Sequence, residues 1–497
     1  MIRMCRSIGA TAVLALLIDA TTAASSVAVT CSSTLSASYA APSVADGYVA
    51  RLVATGLNKP RGILFDNDDQ LLIVESGVGI SALTINDDAD EAGCLSASVK
   101  KRVLTDSTLN HGIQLSLDGK TLYASSASTA YSWAYDSKDQ TNTSEPTTLV
   151  ENMSGTDHTT RTLLLPKHAP GLLVVCRGST SNIDTQALDI DTGHSQIKAY
   201  NITNATGPYD YTRDGLLLGW GLRNEVGIAE EPITGGIYGV ENSVDEMTRQ
   251  GKDIHQNNPG EELNFLGYLN GTESSNQGRN FGYPSCFSAW NVTDIPDFSG
   301  KVGEQFAIGN LNSTVNDTTC SEANRQAPRL VFQAHMAPLD ILFNPAGTAA
   351  WVSFHGSWNR DEPVGYKVSV ISFANGEPVE PSDSQTAAID ILANEDNSKC
   401  PDHCFRPVCL AFDSKGRLFM SSDATGEIYA ILRADGMPTS GVGSNATGTI
   451  PASNGTGTTT SPSASTSSSV AGGVHVTKDI AGMSALAFLF AAVAFVV

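Results

Sequence analysis

The chain has 497 residues, with 30 Lys and Arg against 52 Asp and Glu and a formal charge of −22. So acidic a protein has no electrostatic attraction for nucleic acid or anionic membranes, which sets those partner classes aside. The length exceeds what one ordinary domain holds, so a modular architecture is expected.

Residues 1–24, MIRMCRSIGATAVLALLIDATTAA, place Arg3 and Arg6 ahead of an apolar stretch that ends in small residues. This is the pattern of a secretory signal peptide, too short and wrongly flanked for a membrane span. Secretion permits disulfides. The expected pairs are Cys31–Cys94, Cys286–Cys320 and Cys400–Cys404, although spacing alone does not settle connectivity. Cys176 and Cys409 lie inside apolar strands (LLVVC, PVCLAF) and are expected as buried thiols. Frequent Asn-x-Ser/Thr sequons, among them Asn142, Asn201 and Asn270, fit surface glycosylation.

Between residues 25 and 435 one pattern recurs: a polar residue, an apolar strand, a turn rich in Asp, Asn or Gly, then a second strand. KPRGILFDNDDQLLIVES (Lys59–Ser76) is the first copy and NHGIQLSLDGKTLYASS (Asn110–Ser126) the second. Further copies run Asp157–Ser179, Leu222–Ser243, Ala337–Ser357 and Arg406–Asp423. Each reads as a β-hairpin by alternation and turn chemistry. VSVISF, GEIYAIL and SQIKAYNI supply further strands. The fold expected is all-β, a six-bladed β-propeller of four-stranded blades. The long stretch from Val244 to Gln333 is expected to be an insertion in loops.

In such a ring the first strand of each hairpin lines the axis, and the residues at its start face one mouth. That phase collects Arg61, His111, Asp157 with His158, Arg223 with Asn224, and Arg406; the second strand of the fifth copy adds His355. Three arginines and three histidines concentrated on an acidic protein imply a pocket for carboxylates or phosphates. The plainer alternative is that each arginine pairs with a local carboxylate.

Beyond the propeller, residues 436–471 are almost all Ser, Thr, Gly, Ala, Pro and Asn, a composition that cannot bury a core and reads as a stalk. Residues 472–497 follow small residues with a spacer and the short apolar tail SALAFLFAAVAFVV, the pattern of a GPI-attachment signal. A plain transmembrane tail is the alternative.

SGTDHTTRTLLL, GLRNEVGIA, PGEELNFLG with NFGYP, and FRPVCLAFDSKGRLF resemble the soluble pyrroloquinoline-quinone sugar dehydrogenases. HMAPLDILFNP and SFHGSWNRDEPVGYKV are most similar to the fungal secreted branch, the pyranose or L-sorbosone dehydrogenases. The resemblance implies two cofactors, pyrroloquinoline quinone and Ca²⁺, and oxidation of a small-molecule sugar by hydride transfer to the quinone. It assigns His158 as general base and Arg223 as the group polarising the quinone carbonyl. Asp157 and His111 become sugar contacts. Arg61, Arg223, Asn224, His355, Trp358 and Arg406 become cofactor contacts. Counting back from EELN places the Ca²⁺ ligands at the backbone carbonyls of Gln256 and Asn257; the alternative for Glu261 and Glu262 is a solvated turn. No CxxCH haem motif is present, which leaves the electron acceptor open: a diffusible quinone, a separate cytochrome or a copper enzyme. Two rivals share the fold: a Ca²⁺-dependent lactonase-type hydrolase and a non-catalytic binding propeller at the cell surface.

Overall fold

A computed structural model of the chain describes Cys31 and residues 34–87, 93–309, 314–321 and 325–443. The expected signal peptide, nearly all of the stalk and the GPI signal lie outside the described residues. Within them the chain forms the expected six-bladed propeller. The six hairpins are the inner and second strands of blades I to VI, beginning with Pro60–Phe65 and Gln70–Glu75 and ending with Pro407–Phe412 and Leu418–Ser422. Successive inner strands touch around a closed ring.

The ring closes without a covalent link. The outer strand of blade VI is Tyr48–Ala54, from the start of the folded unit, antiparallel to Glu427–Arg433. Just before it, Ser43–Val44 adds to the edge of blade V at Ala388–Ala393. One short segment therefore stitches two blades to the beginning of the chain.

The core is not central but divided among the six seams between sheets. Leu71 and Ile73 of blade I pack against Phe419 and Ile428 of blade VI, and every other seam holds its own apolar cluster. A strand buried on both faces shows no alternation, which is why LLIV, LLVVC and AAWV read as continuous apolar runs. Cys176 and Cys409 lie in these seams as buried free thiols. The three expected disulfides all form. Among the described residues no helix is long and apolar enough to cross a membrane.

Near the axis the inner strands approach so closely that side chains are excluded. A Cβ on Gly62 would lie 2.1 Å from the carbonyl oxygen of His111, and one on Gly112 would lie 2.3 Å from that of Arg161. These are the glycines of the recurring Gly-Ile dipeptides. Gly112→Ala should destabilise the ring by about 1–3 kcal/mol through overpacking against backbone that cannot yield. Thermal unfolding of the variant checks this; an unchanged Tm would mean that the blades can slide apart.

The stretch Val244–Gln333 is not a loop insertion throughout. It contains the third and fourth strands of blade IV, Glu261–Tyr268 and Leu330–Phe332. The EELN run therefore sits in a buried strand, not a solvated turn. Between those strands, Arg279–Asn280 extends blade III and Cys286–Ser288 pairs with Gln305–Ala307. The Cys286–Cys320 bridge ties this excursion together.

Candidate active site

The residues that the sequence places at one phase occupy two levels. His158 and Arg223 precede the inner strands Leu163–Leu164 and Glu225–Glu230, on the approach to the ring. Arg61 and His111 lie inside their strands, within register shifts that interrupt pairing between Pro60 and Ile63 and between Leu109 and Ile113. Each residue along a strand is a step of about 3.3 Å, and a bulge re-aims the side chain it carries. The upper residues His158 and Arg223, with Arg406 and His355, line a small mouth cavity of about 50 Å³. Asp245, Glu261, His335, Trp358 and Asn359 share its wall. His111 lines instead a larger cavity of about 460 Å³ that occupies the channel on the other side.

His158 is buried, and its ring is held through Nδ1 by Ser179, 2.8 Å from Oγ and 3.2 Å from the backbone oxygen. The Ser179 hydroxyl donates its own hydrogen to the Ser181 carbonyl at 2.8 Å. Both Ser179 oxygens must therefore accept, so Nδ1 carries the proton and Nε2 keeps a lone pair. Burial, reinforced by the nearby Arg223, holds the imidazole well below its ordinary pKa and keeps it neutral. The turn carrying His158 is pinned by Arg161, which the sequence reading passed over. This fully buried guanidinium donates to the carbonyls of Met153, His158 and Thr160. Asp157 beside it is half-buried and makes no hydrogen bond among the described residues.

Arg223 is buried and oriented by neighbours, with Nη2 2.9 Å from Asn182 Oδ1 and 3.0 Å from Asp245 Oδ2. Asn224 is buried, with its Nδ2 unpartnered. It meets His158 across Gly178, where a Cβ would lie 2.5 Å from Asn224 Oδ1 and 2.7 Å from His158 Cβ.

On the opposite wall Arg406 donates to the carbonyls of His355 and Gly356 at 3.1 and 2.8 Å. Arg61 pairs with Asp423 at 2.7 Å and donates from Nε to His111 Nδ1 at 3.3 Å. Asp423, the last residue of the sixth hairpin, also binds His355 Nε2 at 2.8 Å. Local carboxylates thus pair with two of the three arginines, Arg61 and Arg223, but not with Arg406. Unsatisfied buried atoms remain at Arg61 Nη2 and His355 Nδ1, and native interiors leave few such groups without a purpose. Trp358, 57% exposed, stands on the loop that borders the cavity.

That loop is tied to the segment with the expected Ca²⁺ ligands. Gln256 Oε1 accepts from the Asp361 N–H at 3.1 Å, and Asn257 Nδ2 donates to Asp294 at 2.7 Å. His335, absent from the sequence-derived set, holds the same segment through the His255 carbonyl at 2.5 Å. The carbonyls of Gln256 and Asn257 accept no hydrogen bond among the described residues. Nor do the described residues contain a cluster of three His, Cys, Asp or Glu able to hold a metal. Any cation there would rely on backbone oxygen, as Ca²⁺ can.

Beneath Arg223 lies a feature the sequence hid. Glu225, Glu241 and Glu262 stand directly opposite one another on three adjacent strands of blade IV. Asn264 Nδ2 reaches all three, at 3.1, 3.1 and 3.2 Å. Burial and mutual repulsion push Glu225 and Glu241 well above the carboxylate range, and burial raises Glu262 to about 7. Glu241 also accepts the Arg223 backbone N–H at 2.5 Å, so this ladder supports the site from below.

Residues 42–434 match the family model described as TrAA12-like. A pyrroloquinoline quinone-dependent sugar dehydrogenase of Hypocrea jecorina is 48% identical over 407 residues, 80% of this chain and 91% of that protein. A pyrroloquinoline quinone-dependent pyranose dehydrogenase of Coprinopsis cinerea is 37% identical over 412 residues, 79% of this chain but only 55% of its own length. Among solved structures, the calcium structure of the Trichoderma reesei Family AA12 enzyme superposes with a TM-score of 0.78 at 48% identity, covering 81% of this chain and 99% of that one. The holo pyrroloquinoline-quinone domain of the Coprinopsis cinerea pyranose dehydrogenase gives 0.74 at 35% identity, covering 82% and 100%.

Proposed function

The chain belongs to the TrAA12-like family, and from that premise we propose that it is a sugar dehydrogenase dependent on pyrroloquinoline quinone. The observation that carries this reading is His158: a buried, neutral imidazole protonated at Nδ1, in one cavity with Arg223 and Arg406.

The donor set suits an anionic quinone. Arg61, His355 and Asn224 each keep a buried atom without a partner, and Arg406 has no carboxylate of its own. The cavity encloses only about 50 Å³, so only part of such a group would enter it and the rest would remain open to solvent beside Trp358. When bound, the quinone supplies the two-electron oxidant. His158 Nε2 takes the proton of the sugar hydroxyl. Arg223, fixed by Asn182 and Asp245, supplies positive charge that needs no reorientation during the reaction. Asp157, with no bond of its own, is available to a sugar hydroxyl. The carbonyls of Gln256 and Asn257 would hold Ca²⁺.

The lactonase alternative needs acidic ligands free at the axis. Here Asp245 is paired with Arg223, and Glu261 accepts the backbone N–H groups of Ser243 and Ala337 at 2.7 and 3.3 Å. Dye reduction decides among the readings. The dehydrogenase should reduce a dye with a reducing sugar only after addition of pyrroloquinoline quinone and Ca²⁺. Lactone hydrolysis with Ca²⁺ alone would establish the hydrolase, and neither activity would leave a binding module.

The three disulfides support an oxidising compartment. With the leader and tail read from the sequence, they favour an enzyme anchored at the cell surface that passes electrons to an external acceptor. Phosphatidylinositol-specific phospholipase should release the activity from intact cells; activity retained after that treatment would sink the anchor.

A further inference from the structure

We infer that Asp423 sets the protonation of His355 so that this ring takes up one proton when a carboxylate of the quinone cofactor enters the mouth cavity. The inference rests on the proposed cofactor site and goes beyond it to the proton that binding requires.

Asp423 is nearly enclosed, and both of its oxygens are in use: Oδ2 receives Arg61 Nη1 at 2.7 Å and Oδ1 receives His355 Nε2 at 2.8 Å. A carboxylate with an arginine on one oxygen can only accept on the other, so His355 carries its proton on Nε2. Against the cost of burial, His355 and Arg61 hold the Asp423 carboxyl far below its usual range, so it stays ionised. The remaining ring nitrogen, Nδ1, is buried and has no partner. In the neutral ring this atom is a lone pair.

A lone pair repels an incoming carboxylate, whereas an N–H would bind it. The charged groups facing the ring are Asp423, Arg406 and Arg61. Burial first, then Arg406, holds the ring at about 4 despite the pull of Asp423, so before ligand arrives it is neutral at ordinary pH. An anion against Nδ1 reverses that balance, because opposite charge favours the protonated form. The proton comes from solvent, and the imidazolium then bridges two carboxylates, Asp423 at Nε2 and the ligand's at Nδ1. His158 and His335 are the other imidazoles on the cavity wall, so the proton must be assigned by variants.

Asp423→Asn gives the sharpest one. Arg61 can only donate, so the oxygen of the introduced amide must turn towards it and the N–H₂ towards His355 Nε2. The ring then shifts its proton to Nδ1 and presents a donor while still neutral. This variant should bind without needing a proton, and His355→Gln, whose side-chain amide cannot take up a proton, should bind without uptake as well.

The experiment titrates pyrroloquinoline quinone into the calcium-loaded full chain by calorimetry, in two buffers of different ionisation heat. The wild type should take up close to one proton, and its Kd should rise with pH between 5 and 7 by up to tenfold per unit. Asp423→Asn and His355→Gln should show no uptake and a flat Kd. Zero uptake by the wild type, or uptake retained in either variant, overturns the inference. A wild type that does not bind the quinone overturns the site reading itself.

Discussion

His158→Gln should lower kcat by a factor of about 10²–10⁴, the usual contribution of a positioned general base, with the Kd for pyrroloquinoline quinone unchanged. Two serines prepare the proposed base. Ser179 is fixed as an acceptor by its own bond to the Ser181 carbonyl, and this leaves His158 only one neutral tautomer. A glutamine at the position can still donate to Ser179, so the turn held by Arg161 has no reason to rearrange. What it lacks is a basic nitrogen. The same geometry makes a second, independent demand on the wild type. Burial and Arg223 keep the imidazole neutral well below the ordinary histidine range, so kcat should not fall as pH drops through 6.5. Steady-state rates from pH 5 to 8 check this. An inflection at an ordinary histidine pKa, or a His158→Gln variant with full kcat, would move the base elsewhere.

The blades were legible because each carries its own hairpin with turn residues between apolar strands, a local signal that needs no partner to be seen. Arg223, His158, Arg406 and His355 were legible as a cluster for the same reason: the repeat gives their phase. Three things were not. Phase does not give depth: His111, read at the same phase, lines the cavity on the other side of the channel, whereas Arg61 reaches Asp423 beside the mouth. The strand Tyr48–Ala54 closes blade VI across nearly the whole chain, and no local pattern announces a pairing so distant. Asp423 and the glutamates of blade IV look like hairpin ends and surface charge until the register sets them against Arg61, His355 and one another. Acidic side chains are solvated by default, so a sequence cannot say which of 52 of them is buried.

The glutamate ladder makes the stability of blade IV depend on pH, and Glu262→Gln isolates one rung. Burial raises the Glu262 carboxyl to about 7 in the folded chain, against an ordinary 4.5. Between these values the folded state holds a proton that the unfolded state has released, so stability must fall as pH rises through the interval. The contribution is fully present below about 4.5 and lost above about 7. At roughly 1.4 kcal/mol per pKa unit the swing is on the order of 3 kcal/mol. A glutamine cannot ionise and suffers no such loss. Its oxygen can still accept from Asn264 Nδ2, which serves Glu262 at 3.2 Å. Absolute Tm curves will also contain buried histidines such as His111 and His158, held below their ordinary range, which act in the opposite sense below pH 6.5. The difference between variant and wild type cancels them. That difference should move in favour of Glu262→Gln steadily from pH 4.5 to about 7 and then level off. A difference constant across this range would mean that Glu262 is ionised in the folded protein, with a compensating cation among the three carboxylates. In that case the ladder beneath Arg223 would be a charged site rather than a protonated support.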